Sequence, residues 1–201
     1  MEKDRFLMGL SFLTLSLKYL YLVKNVLSEN VKQGNSYIIT SDERITTEEY
    51  DEMTKWSDFN ISNPILFNFY HGLELLLKGF LLLRNDYIFE PRHNIRKLFK
   101  DFKEEYNGKQ NIISILGKYL MIDLMPDFLA NCLKNNNIQI NKFYEFLRYP
   151  TDKNAQSVYN YIDLKYKKEK GTIFFKGLVK DTDILGREAV KSYREIEKNK
   201  N

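Results

Sequence analysis

The sequence predicts an all-α protein, a helical bundle formed as one domain over residues 1–201. Three observations carry that reading. Apolar residues recur every three or four positions over long stretches, the spacing of a helix face packed on a core. Only nine Gly and four Pro interrupt 201 residues. Alternation of the kind a strand needs occurs in one place, where residues 162–175 leave room for a small β-hairpin. With 43% apolar and 29% charged residues the composition is globular, and the length suffices for one substantial core.

The first helix runs from about Lys3 to Ser28 and carries two apolar seams. One is Phe6, Leu10, Leu13, Leu17 and Leu20; the other is Met8, Phe12, Leu15, Tyr19, Leu22 and Val26. A helix with two seams needs cover on both sides, which places it centrally or at a homodimer interface. Residues 30–61 are polar and irregular and read as an insertion or flap. Within them Thr46 and Glu49 have capping-box spacing, so a short helix is expected through Lys55.

The strongest helix follows, capped by Ser62 or Asn63 with Pro64 in its first turn. Leu66, Phe69, Tyr70, Leu73, Leu76, Leu77, Phe80 and Leu81 give it a continuous apolar face. It is the other candidate for the homodimer interface. After a loop ending at Pro91, Ile95, Leu98, Phe99 and Phe102 mark a shorter amphipathic helix. Further helices are expected at 111–122, 127–134 and 141–148, bounded by Pro126 and Pro150. The hairpin rests on Ile162, Leu164 and Tyr166 alternating with charges, then Lys-Lys-Glu-Lys-Gly before Thr172 to Phe175. Asp181 or Thr182 then caps a last helix bearing Leu185, Ala189, Tyr193 and Ile196.

Composition also narrows the chemistry. Cys132 is the one cysteine, so neither an intramolecular disulfide nor a cysteine-ligated zinc site can form. The two histidines are not paired at ligand spacing on any helix, and no Gly-rich loop resembles a P-loop or dinucleotide fingerprint. Neither metal nor cofactor is expected. Phe6–Leu17 is uncharged, yet Glu2-Lys3-Asp4-Arg5 is a poor basic leader and Lys18 stops the run short of a span of about 20 residues. The expectation is a cytoplasmic protein without a membrane segment. Its charge of +4 permits an anionic partner without demanding one.

The chemically informative residues interrupt the strongest helix. His71, Glu74 and Lys78 fall three and four apart, on one face surrounded by leucines. Charges kept from water need partners. Lys78 is the local partner for Glu74; Arg148 and His93 are the remote ones. One reading is a structural knot holding helices in register. The other is a phosphate or ribose site with Lys78, His93 and Arg148 as donors. Lys165, Lys167, Lys168 and Lys170 likewise read either as a solvated turn or as a phosphate contact aided by Tyr159, Tyr161 and Tyr166.

His71-Gly-Leu-Glu74-Leu-Leu-Leu-Lys78, followed by Arg92-His93-Asn-Ile-Arg-Lys-Leu98-Phe99, resembles the HEPN superfamily of small helical proteins. Its members often carry Glu-x-x-x-Lys on one helix, then Gly-His-Asp-Leu after a loop. Arg148-Tyr149-Pro150 is similar to an Arg-Tyr-Pro turn of some relatives. The resemblance covers about residues 64–150. It implies a helical bundle, often dimeric, of bacterial toxin–antitoxin and phage-defence systems. Many relatives are metal-independent ribonucleases using Arg, four to six residues, then His. Here eight residues separate Arg84 from His93. The lead expectation is therefore an RNA- or nucleotide-binding protein without efficient catalysis. The alternatives are a ribonuclease in which Arg84, His93 or Arg148 converge in space, and a pure interaction module.

Overall fold

The computed structural model describes residues 2–84 and 93–198. Among them the chain forms eight α-helices and no sheet, in the order α1 (Glu2–Lys32), α2 (Thr47–Thr54), α3 (Asp58–Leu82), α4 (Ile95–Glu105), α5 (Gln110–Leu120), α6 (Asp127–Asn135), α7 (Phe143–Arg148) and α8 (Lys168–Lys198). Pro91 and Arg92, and Asn85 beside Arg84, lie outside the described residues.

Helix α3 is the axis of the bundle. From Ile65 to Leu83 nearly every side chain is buried, because α1, α4 and α7 all pack against it. The α1–α3 contact is close. A Cβ on Gly79 would lie 2.9 Å from the Leu13 backbone nitrogen, so only glycine permits this approach. Ser16 Oγ donates to the Gly72 carbonyl at 2.8 Å in the same seam. Helix α8 lies antiparallel along α1, with Phe6 stacked on Tyr193 at one end and Lys24 paired to Asp183 at 2.5 Å further along.

Of the first seam of α1, Leu13 and Leu20 are buried and Phe6, Leu10 and Leu17 half-buried, and the buried face continues through Val23 and Leu27. The other is open, with Met8, Leu15 and Leu22 nearly half exposed. Both α1 and α3 are long and apolar enough to cross a membrane; α3 is mostly buried inside the bundle, whereas only 28% of the apolar window of α1 is. The Thr46–Glu49 capping box forms with both hydrogen bonds.

Two expectations need correction. The hairpin near 162–175 is absent: Ile162–Leu164 is a single 3₁₀ turn, and Lys168 already begins α8, some thirteen residues before the expected caps at Asp181 and Thr182. The strand-like alternation belongs to a turn and its exit, where Tyr166 and Lys168 take left-handed φ values of 57° and 47°. Gly171, which reads as a turn residue, is a close-approach residue; a Cβ there would meet Asn35 and Asp58 side-chain atoms at 3.0 Å. The strongest helix also starts earlier, at Asp58, leaving Pro64 inside it. Pro64 is exposed, so water can serve the carbonyl that loses its helical partner.

Candidate functional site

Glu74 sits mid-helix on α3 with its side chain only 6% exposed. Its Oε1 accepts a hydrogen bond from Lys78 Nζ at 2.6 Å, one turn on, and Lys78 is as deeply buried. The same oxygen meets His93 Nδ1 at 2.8 Å. A carboxylate only accepts, so Nδ1 carries the hydrogen and Nε2 is left on the far edge of the ring. The His93 side chain is 56% exposed. A buried acid thus holds an imidazole that faces out.

His93 reaches Glu74 because α4 runs parallel to α3. Asn94 caps α4, its side chain accepting from Lys97 N at 3.0 Å. Further along, Phe80 and Phe102 pack at 5.4 Å, and Tyr106 donates its hydroxyl to the Phe80 carbonyl at 2.7 Å. At the far end Arg84 Nε pairs with Glu105 at 3.1 Å. Arg84 lies ten residues beyond Glu74 in the chain, about 15 Å along a helix. The bundle does not bring Arg84 to His93.

Helix α7 supplies the rest. The Tyr144 ring lies 5.4 Å from that of His93. Burial pushes the Tyr144 hydroxyl up to about 12, helped by its hydrogen bond to Glu145 and by the charges of Glu145 and Glu74, while Arg148 opposes the shift. It therefore acts as a neutral donor at physiological pH. Arg148 follows one turn later, exposed, with its guanidinium 5.1 Å over the Tyr149 ring. It makes no contact with Glu74, contrary to one of the remote pairings weighed above.

His71, one turn before Glu74, is edge-on to Tyr19 at 4.7 Å and stacked on Phe67 at 6.1 Å. Burial lowers its pKa, Glu74 opposes this, and His93 and Lys78 add to it. His71 therefore stays neutral where an exposed histidine begins to charge.

Two features were not singled out from sequence. One is Tyr144. The other is a groove of about 680 Å³ beginning at Asn94 and lined along α4 by Arg96, Lys97, Lys100 and Lys103, with Asp123 the one carboxylate in its lining. Arg96, Lys100 and Lys103 stand at helical spacing along the flank of the Ile95, Leu98, Phe99 and Phe102 stripe, so a helical wheel of α4 holds the signal.

The lysine-tyrosine cluster offers less. The Tyr166 ring stacks on Phe59 at 5.2 Å, Lys165 lies over that same ring at 4.7 Å, and Tyr161 gives its hydroxyl to the Phe146 and Tyr149 carbonyls. Cys132 is buried, which pushes its thiol up to about 12 and away from nucleophilic use. Among the described residues no group of three or more His, Cys, Asp and Glu could hold a metal ion. Comparison with protein-family models, curated proteins and solved structures finds no match.

Proposed function

We propose that this protein is a HEPN-like, cytoplasmic binder of RNA or a nucleotide, without efficient catalysis, in a bacterial defence or toxin–antitoxin setting. The ligand's phosphate sits between His93 and Arg148. The observation that carries this is the exposed His93 ring fixed through Nδ1 by the buried Glu74 carboxylate. Lys78 alone would satisfy a purely structural acid. Adding an outward-facing ring costs ordering free energy, and as the imidazolium it presents a pre-oriented Nε2–H to an anion. Arg148 adds a planar fork suited to phosphate, and the α4 cations extend a positive track away from it.

The reading without efficient catalysis rests on the second histidine and on Arg84, neither of which joins the His93 ring, so that Arg148 alone supplies a cation there. His71 is packed between Tyr19 and Phe67, and Arg84 is held by Glu105 at the far end of α3. One observation favours the ribonuclease alternative: a histidine oriented by a carboxylate is the arrangement general bases use.

Anisotropy with a labelled single-stranded RNA distinguishes these readings. Wild type binds at low salt and loses affinity steeply as salt rises. Arg148→Ala and His93→Ala each weaken binding by about tenfold, and the RNA stays intact on long incubation. Cleavage that His93→Ala abolishes selects the ribonuclease. Binding indifferent to both substitutions leaves the interaction module.

A further inference from the structure

Helix α1 turns an almost uncharged face to solvent. Between Leu7 and Asn25 nine of its residues are exposed, and Lys18 is the one charge among them. Leu7, Leu15, Tyr21 and Leu22 stand 50%, 44%, 65% and 46% exposed there. Ser11, Lys18 and Asn25 repeat every seven residues down the middle of this face. Leu15 and Leu22 form the row on one side of them, and Leu7 and Tyr21 the row on the other. Helix α3 packs on the Gly9, Leu13 and Ser16 side of α1, and α8 on the Phe6, Leu17 and Lys24 side, which leaves this face open.

Alongside, α8 turns out a row of cations. Lys176, Lys180, Arg187, Lys191, Arg194 and Lys198 are all exposed, at spacings of four, seven, four, three and four that keep them on one side of the helix. Asp183 fills the gap in the row and is engaged by Lys24 at 2.5 Å and Arg187 at 3.0 Å. The other five cations have no ion pair among the described residues. The nearby acids lie off the row: Glu195 pairs with Lys109 at 2.6 Å, and Glu197 accepts from the Tyr193 hydroxyl at 2.8 Å. The two exposed faces adjoin. Thr14, Lys18 and Tyr21 of α1 and Arg187, Lys191 and Arg194 of α8 line one groove of about 1020 Å³, whose lining includes no residue of α4 or α7.

We propose that this α1–α8 face docks on the surface of an anionic lipid bilayer, with α1 where headgroups meet acyl chains and the α8 cations at the level of the phosphates. Leu7, Leu15, Tyr21 and Leu22 enter the interface, and Lys18 reaches back to the phosphates along its own aliphatic stem. No helix crosses: α1 stays packed on α3, where Gly79 lets the two backbones meet. The face runs about 27 Å along α1 and about 33 Å along α8. Single-stranded RNA would match the cations and leave the leucines in water. A second copy across a two-fold axis would bring the α8 cations up to their own equivalents. An anionic bilayer matches both helices at once.

Vesicle flotation of the full chain tests this, and its outcome is independent of the His93 reading. Wild type should float with vesicles of equal parts phosphatidylcholine and phosphatidylglycerol, stay behind with phosphatidylcholine alone, and bind less as salt rises. Lys191→Glu with Arg194→Glu should weaken partition by at least about tenfold. Leu15→Gln with Leu22→Gln, neutral changes at exposed positions, should weaken it by at least about tenfold at unchanged charge. Circular dichroism and RNA anisotropy should stay as in wild type for both pairs. A wild type that does not float, or flotation indifferent to either pair, would overturn the proposal. So would an equal loss of RNA affinity in the charge pair, which gives the stripe to RNA. A dimer that the leucine pair breaks would overturn it as well, by giving the face to a second copy.

Discussion

Helix α3 carries two buried acids, Asp58 in its first turn and Glu74 at its middle, and they serve opposite ends. Asp58 is 1% exposed and accepts from Tyr166 N at 2.9 Å, Lys167 N at 2.7 Å and Asn35 Nδ2 at 3.1 Å. Its own backbone N–H donates to Asn35 Oδ1 at 2.6 Å. Every donor here is a neutral amide, and the arrangement fixes the left-handed turn that launches α8. The positive end of the α3 dipole favours the charge as well. Glu74 is equally deep, but its donors are a buried ammonium and an imidazole that opens to solvent. Burial alone therefore does not separate an acid closed in by backbone amides from one that holds an exposed ring. The position of the partners does.

Substitutions sharpen the contrast. Glu74→Ala takes a carboxylate away from the buried Lys78 ammonium and releases the His93 ring, and should cost about 3–5 kcal/mol in denaturant unfolding, with Glu74→Gln losing less because it keeps an acceptor. Asp58→Ala leaves two backbone N–H groups and the Asn35 amide without their acceptor, an expected loss of about 3 kcal/mol, with RNA affinity unchanged. Equal melting temperatures for wild type and either variant would remove the corresponding knot from this account.

His93→Ala inverts the pattern. The ring is mostly exposed and Glu74 keeps Lys78, so stability should fall by less than about 1 kcal/mol while RNA binding weakens about tenfold. Smaller again is a pH effect from His71. Its pKa in the fold lies below the ordinary 6.5, so between those values the unfolded chain binds a proton that the folded chain refuses. Stability should decline as pH falls through about 6.5 and level off below the folded value. His71→Gln should flatten that part of the melting-temperature profile. Glu197→Ala, on the exposed end of α8 beside Tyr193, should change stability by less than about 0.5 kcal/mol.

The sequence made α3 and the Glu74–Lys78 pair legible because Leu73, Leu75, Leu76 and Leu77 around them leave those charges few other partners. His93 was legible as a remote partner for the same reason. Asp58 was not: it sits in a polar stretch, and its donors are backbone amides more than a hundred residues away, a pairing no local spacing encodes. The false hairpin has a related cause. The alternation at 162–166 spans too few residues to tell a strand from a 3₁₀ turn and its exit. Gly171 carries a close approach that only the folded neighbours Asn35 and Asp58 explain.

The chain has two histidines, His71 and His93, so an imidazole ¹H–¹⁵N spectrum resolves the central claim directly. On titration with a short single-stranded RNA, the His93 ring resonances should move with the binding isotherm, and those of His71, packed against Tyr19 and Phe67, should move far less. RNA that saturates the protein while the His93 resonances stay in place would contradict the account.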